Sequence, residues 1–293
     1  MHDDEVLIDR RIIARLLDEQ FPELAHLPLE RVNGMGTVNA IYRLGDELCV
    51  RLPRVVQWAE DLERELKWLP TLAPHVSLTI PEPVAVGQPS AHFPMRWTIY
   101  RWIDGSPYDD VLVRDEARAA EDLAAFIHEL RKVDTAGAPP AGRKPLAELD
   151  ALTRTGIGES SDEIDHVAAL AAWEQALESP LWDGEGAWIH ADLLRPNLLV
   201  KSGRLHAVLD FGGTGVGDPA MDLIPAWAVF GPRGRAAFRA ALDIDEGDWQ
   251  RARGVALHQA IGIIPYYRDT NPRFVATALR TVQQVIEDVR SRT

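Results

Sequence analysis

Asp192, Asn197 and Asp210 are the residues of this 293-residue chain whose types and spacing could do chemistry together. Asp192 and Asn197 share one short stretch, and Asp210 follows two apolar runs, Leu198 to Val200 and Leu205 to Leu209. Lys201-Ser202-Gly203-Arg204 separates the runs and carries a Ser-Gly turn signal, so the pattern predicts a β-hairpin. A hairpin returns the chain to its start, which brings Asp210 back beside Asp192 and Asn197. Two carboxylates and an amide oxygen are hard donors that suit magnesium, an ion that keeps several waters and is bound by one or two carboxylates together with substrate phosphates. That chemistry points to phosphoryl transfer.

His190-Ala191-Asp192-Leu193-Leu194-Arg195-Pro196-Asn197 resembles the H-x-D-x-x-x-x-N catalytic loop of the kinase-like fold, and Asp210-Phe211-Gly212 resembles its D-F-G metal loop. Ala191 stands where protein kinases carry Arg, and Gly217-Asp218-Pro219-Ala220-Met221-Asp222 follows. The combination is similar to the aminoglycoside and macrolide phosphotransferase family. Taken singly, a D-F-G is a strand end with a turn and an H-x-D is a loop with a satisfied histidine; their order and the hairpin between them carry the functional reading. The resemblance implies an α+β, bilobal protein-kinase-like fold. Its mixed α/β N-lobe would span residues 1–103, and its mainly helical C-lobe residues 104–293. It also implies ATP or GTP as phosphoryl donor, Mg2+ on Asn197 and Asp210, and Asp192 as the group that meets the acceptor hydroxyl. Asp218, placed before Pro219, reads as a helix N-cap, whereas Asp222 falls where the family ties down its catalytic loop.

Elements upstream must position these groups. Asp9 is an N-cap for a helix reaching Gln20, with Ile12, Ile13, Leu16 and Leu17 at helical spacing. Strand signals follow from Arg31, through a turn containing Gly34, Gly36 and Thr37, into Ala40 to Leu44 and then Leu48 to Leu52. The glycines allow close backbone approach to phosphates, with Thr37 and nearby amides as donors; an ordinary hairpin turn is the plainer reading, and the full G-x-G-x-x-G pattern is absent. On the third strand the family carries a Lys for the α- and β-phosphates, and here Arg51 occupies that place. The alternative for Arg51 is a surface arginine paired with an acid. A helix is predicted from Val56 to Ala73. Its Glu65 best matches the family glutamate that orients the strand cation, with Glu60 and Glu63 as rivals.

A strand from Arg96 to Ile103 leads into the hinge. By resemblance, backbone atoms around Tyr100, Arg101 and Ile103 hold the nucleotide base. Tyr100 falls at the gatekeeper position, where a bulky side chain narrows the adenine pocket and favours GTP; a core tyrosine is the other reading. Trp97, Trp102, Trp182, Trp227 and Trp249 read as core, lobe-packing or groove-wall residues. Helices are predicted at 115–133, 164–177, 220–230, 234–242, 246–261 and 274–292, with a Pro-rich loop over Ala136 to Pro145.

A net charge of −14 argues against a nucleic-acid or anionic-membrane binder, since both need basic surface. The sequence shows no secretory signal, no membrane span and a single Cys49, which together predict a cytoplasmic protein without a disulfide. The expected partner is a small hydroxyl acceptor, cationic by preference. An aminoglycoside is the first choice, met by Asp243, Asp245, Glu246, Asp248, Asp269, Glu287 or Asp288. A macrolide is the second and would need an apolar wall from Trp227, Phe230, Ile263, Ile264, Tyr266 and Tyr267. A small-metabolite kinase and a non-catalytic nucleotide-binding module complete the alternatives.

Overall fold

The computed structural model describes residues 6–32, 39–182, 184 and 186–291. Gly34, Gly36 and Thr37, expected in the phosphate-covering turn, lie outside them.

Asp9 caps α1 (Arg10–Gln20), its Oδ1 accepting from the amides of Arg11 and Ile12 at 2.8 and 2.9 Å. Ile13, Leu16 and Leu17 on one face of α1 are fully buried against an antiparallel sheet. Its strands are β1 (Leu29–Arg31), β2 (Asn39–Leu44), β3 (Leu48–Pro53), β4 (Pro83–Gly87) and β5 (Trp97–Arg101), in the order β1-β2-β3-β5-β4. On β2 the side chains of Ala40, Tyr42 and Leu44 are buried while their neighbours are half-buried, the period-two pattern of a strand with one covered face. Gly87 is required in this sheet: a Cβ there would lie 1.9 Å from the Trp97 ring. Between β3 and β4 runs α2 (Ala59–Leu72), whose ends tighten into 3-10 turns at Val56–Trp58 and Ala73–His75.

Beyond β5 come β6 (Ser106–Pro107) and then the helical part. It comprises α3 (Glu116–Arg131), α4 (Leu146–Glu159), α5 (His166–Leu177), α6 (Pro225–Ala228), α7 (Pro232–Leu242), α8 (Glu246–Tyr267) and α9 (Pro272–Arg290). Asp115, Asp165 and Asp245 cap α3, α5 and α8 with their side chains. Set among the helices are β7 (Ala187–Ile189), β8 (Leu198–Lys201), β9 (Arg204–Val208) and β10 (Gly215–Gly217). The hairpin β8–β9 turns on Ser202 and Gly203 at φ of 55° and 84°, the left-handed pair that matches strand twist. Thr79 ties the two parts together, donating to the His206 carbonyl at 3.1 Å and accepting from Val208 at 2.9 Å.

Three features depart from the sequence reading. The helix α4 has no counterpart among the predicted helices; its Thr153, Thr155, Gly156 and Gly158 are weak helix formers. Its Gly156 serves packing instead, since a Cβ there would lie 2.5 Å from Ile261 Cγ2 of α8. Secondly, α8 does not stop at Ile261 but runs through Pro265 to Tyr267, whose ring packs 5.3 Å from Phe274. Finally, Trp182, read as core or groove wall, is 37% exposed and does not line the main cavity, while Trp227 and Trp249 are buried with ring centroids 4.6 Å apart. Among the described residues no helix is long and apolar enough to cross a membrane.

Candidate active site

The loop between β7 and β8 is shaped by Asp222. Its two carboxylate oxygens accept from the amides of His190 and Ala191, both at 2.8 Å. Ala191 sits at φ 68°, a left-handed conformation that costs a non-glycine residue roughly 1 kcal/mol, and these two bonds hold it there. His190 is buried, with Nε2 2.9 Å from the Leu209 carbonyl and Nδ1 accepting from the Asp192 amide at 3.2 Å. A carbonyl only accepts, so the proton belongs on Nε2. The loop is thus pinned on both sides of Asp192. Asn197 donates from Nδ2 to the carbonyl and Oδ2 of Asp192, each at 2.9 Å, and its own Oδ1 has no donor among the described residues. Burial raises the Asp192 pKa and the Asp210 charge raises it further, while His190, Arg143 and Gln259 pull it back.

Asp210 itself takes a left-handed conformation at φ 66°, which turns the chain sharply after the hairpin. There it meets Arg51. The guanidinium of Arg51 donates from Nη1 to both oxygens of Glu65, at 2.9 and 2.7 Å, and from Nη2 to Asp210 Oδ1 at 2.9 Å. With its amide oxygen turned toward Arg51, Asn39 accepts from Nη2 at 2.8 Å and from Nε at 3.0 Å. Burial alone would lower the Arg51 pKa, but Glu65 and Asp210 raise it well above its ordinary value. Glu65 is wholly buried and accepts as well from the Tyr100 hydroxyl at 2.7 Å and the Phe211 amide at 2.8 Å. Its rivals are elsewhere, as Glu63 pairs with Arg96 and Glu60 is exposed.

Asp192, Asn197, Asp210, Arg51, Tyr100, Arg101 and Ile103 all line one cavity of about 1070 Å³. At the hinge, the Arg101 amide donates to the Glu82 carbonyl at 3.0 Å and the Trp102 amide to the Glu47 carbonyl at 2.7 Å. Those two donors are committed, whereas the Ile103 amide has no partner among the described residues. Trp102 lines the cavity rather than a core, and its indole N–H donates to Asp104 Oδ1 at 2.9 Å. Cys49 also lines it, its thiol pushed up to about 11 by burial and so kept protonated. No group of three or more His, Cys, Asp or Glu side chains gathers to hold a metal among the described residues. The Asn197 Oδ1 and Asp210 carboxylate are two oxygen donors beside open space, a set that fits magnesium sharing its remaining positions with phosphates and water.

The sequence profile of the phosphotransferase enzyme family matches residues 30–255. The chain belongs to that family. Uncharacterized protein YcbJ of Bacillus subtilis (strain 168) is 26% identical over 165 residues, which cover 54% of this chain and 52% of that protein. The chain therefore spans about half the length of this curated relative. Among solved structures, the GDP complex of wild-type aminoglycoside 2'-phosphotransferase-IIIa superposes with a TM-score of 0.75 at 18% identity, over 96% of this chain and 100% of that one. The apoenzyme of macrolide 2'-phosphotransferase MphH from Brachybacterium faecium gives 0.59 at 21% identity, over 92% and 98%. Both are similar in fold, the bilobal kinase-like fold.

The same cavity is lined by residues of α4 and of the second half of α8. Leu152, Ile263, Pro265, Tyr266, Tyr267 and Phe274 make a mainly apolar wall. The wall expected from sequence is corrected in part: Trp227, Phe230 and Ile264 are fully buried in the core and do not reach it. None of the seven late acids lines the cavity either. Asp248 pairs with Arg251, Glu246 with Arg239, and Asp288 with Arg253 and Arg235. The acids that do line it are Glu159, Asp192 and Asp210.

Three lining residues escaped the sequence reading. Gln259 donates to Asp192 Oδ1 at 2.8 Å. A polar amide inside the apolar run from Ala256 to Ile264 was the available signal. His258, beside it, is pushed down to about 4 by burial and by the Arg143 charge. Arg143 comes from the Pro-rich loop, which is no loose connection: Val216 on β10 donates to Pro139 at 2.8 Å and accepts from Ala141 at 2.9 Å. Arg143 is exposed at its surface; desolvation of its guanidinium on the cavity side lowers its pKa, and the Asp192 charge acts the other way.

Proposed function

We propose that this chain transfers the γ-phosphoryl group of ATP or GTP to a hydroxyl of a small molecule bound between α4 and α8. The observation that carries the reading is the meeting of Asp192, Asn197, Asp210 and the Arg51–Glu65 pair around one cavity. A bond forms between the acceptor oxygen and the γ-phosphorus as the bond to the β,γ-bridging oxygen breaks. Asp192 orients the acceptor hydroxyl and takes its proton. Arg51, held by Glu65, supplies positive charge to the phosphates. Asn197 Oδ1 and Asp210 would hold Mg2+, which offsets charge on the phosphate oxygens. Because the transition state of phosphoryl transfer is loose, alignment and charge neutralisation supply most of the acceleration. The base would lie at the hinge, between Tyr100 and Ile103.

For the acceptor, the apolar wall and the absence of the seven late acids from the cavity lining favour a macrolide-like molecule over a polycationic aminoglycoside. Among the described residues a cation has only Glu159 to meet it on that wall, and Arg143 opposes it. Nucleoside diphosphate release with panels of macrolides, aminoglycosides and small alcohols, at two salt concentrations, tests both classes. The macrolide reading expects turnover that salt leaves unchanged. Turnover confined to aminoglycosides and weakened by salt, as screening would produce, reverses the order.

A further inference from the structure

Both oxygens of the Asp192 carboxylate have protein donors, and they differ in kind. Oδ2 is held by Asn197 within the same loop, and Oδ1 by Gln259 Nε2 from α8, at 2.8 Å. An ionised carboxylate only accepts, so the Gln259 amide must turn its nitrogen toward Asp192 and its oxygen away. That oxygen has no donor among the described residues, and Gln259 lines the cavity. Two polar neighbours, Thr153 and His258, pair with each other, Thr153 Oγ1 lying 2.8 Å from His258 Nδ1. Carbonyl oxygen and nitrogen of one amide are about 2.3 Å apart, so with the 2.8 Å bond Gln259 Oε1 lies within about 5 Å of Asp192 Oδ1. Two acceptors this close, one of them the group that meets the reacting hydroxyl, form a paired reading head.

We propose that Gln259 selects acceptors carrying a hydrogen-bond donor on the carbon next to the reacting hydroxyl. The reacting hydroxyl donates to the remaining lone pair of Asp192 Oδ1, while the neighbouring O–H or N–H donates to Gln259 Oε1. Substituents on adjacent carbons are close enough to make both bonds at O–H···O lengths of about 2.8 Å. An acceptor with a single hydroxyl leaves Oε1 desolvated and unpaired, and sites built to bind a polar group reject analogues that lack it. Gln259 thereby joins acceptor recognition on α8 to the orientation of Asp192. The proposal rests on the phosphotransfer function above.

The test compares cyclohexanol, cis-cyclohexane-1,2-diol and cis-2-aminocyclohexanol as acceptors, with the full chain and magnesium-nucleotide, for wild type and Gln259→Met. In wild type the diol or the amino alcohol should exceed cyclohexanol in kcat/KM by about 10-fold or more, and the better of the two identifies the donor. In Gln259→Met that preference should collapse to within about 2-fold, with nucleotide affinity and thermal midpoint retained. A merely structural role would lower all three acceptors by one factor and preserve the preference. No preference in wild type, a preference that survives the substitution, or turnover only of larger hydroxyl compounds would each overturn the proposal alone. Absence of turnover with every hydroxyl compound, including the macrolides and aminoglycosides, would overturn the phosphotransfer reading itself.

Discussion

Arg51 Nη2 lies 2.9 Å from Asp210 Oδ1, so the cation of β3 and the carboxylate that follows β9 neutralise each other across the cavity. The same guanidinium is braced from behind by Glu65, and it can swing little without losing that pair. Under the proposed function, a nucleotide entering with its ion would offer both partners a replacement: phosphate oxygens for Arg51 and the cation for Asp210. The contact would then keep two charges compensated until the phosphates arrive.

Arg51→Ala should lower kcat/KM for the nucleotide on the order of 10²-fold, the scale for loss of one preorganised charge donor. It should also destabilise the fold by about 3 kcal/mol, since it leaves a buried carboxylate without its counter-charge. Arg51→Lys keeps the charge but not the planar fork, so it should retain part of the activity and most of the stability. Steady-state kinetics and denaturant unfolding measure the two effects, and wild-type kinetics for Arg51→Ala would move the phosphate cation elsewhere.

Asp192→Asn and Asp210→Ala should separate along different axes. The first removes the group that orients the acceptor and is expected to reduce transfer by about 10²-fold or more while nucleotide affinity stays. The second should weaken binding of the magnesium-nucleotide complex itself. Titration calorimetry distinguishes them: unchanged magnesium-nucleotide affinity in Asp210→Ala would refute the metal assignment.

Tyr100 is tested by two substitutions with opposite signatures. Tyr100→Phe deletes the hydroxyl that donates to buried Glu65 at 2.7 Å, and should cost about 1–3 kcal/mol with little change in base preference. Tyr100→Ala opens the cavity at the hinge and should raise the use of ATP relative to GTP. If the ATP to GTP ratio of kcat/KM is the same in wild type and Tyr100→Ala, the tyrosine has no say in base choice.

His258 makes stability depend on pH in a defined direction. Its folded pKa is depressed to about 4, against about 6.5 for an unfolded histidine. The unfolded chain binds the proton first, so the contribution is fully present above about 6.5 and is lost as pH falls toward 4. The thermal midpoint of wild type should decline between those values more steeply than that of His258→Gln. Carboxylates titrate near the lower end, so the comparison is clearest from pH 6.5 to 5; parallel curves there would contradict the depressed pKa.

Much of the centre was legible in sequence because its geometry is local. The hairpin between Asn197 and Asp210 is set by Ser202 and Gly203, adjacent residues in left-handed conformations. The cap at Asp9 acts within three residues of the helix it starts, and the alternation on β2 follows from a strand with one covered face. Such features depend on neighbours a few positions apart, and residue types report them directly. The choice of Glu65 over Glu60 and Glu63 was of another kind, settled by which side of α2 faces Arg51.

Contacts between distant segments were decided by tertiary packing. Gln259 reaches Asp192 across 67 positions because α8 lies beside the loop between β7 and β8; the amide in the apolar run from Ala256 to Ile264 marks Gln259 in sequence without naming its partner. The helix α4 reads as a poor helix because Gly156 is there to let α8 come close, a requirement visible only once both helices are in place. Charge shows the same division most plainly. The sequence determined how many acids the late helices carry, but ionised carboxylates pair with whatever cations packing brings near. Folding sets Asp248, Glu246 and Asp288 against arginines and leaves the cavity wall to Ile263, Tyr266 and Phe274.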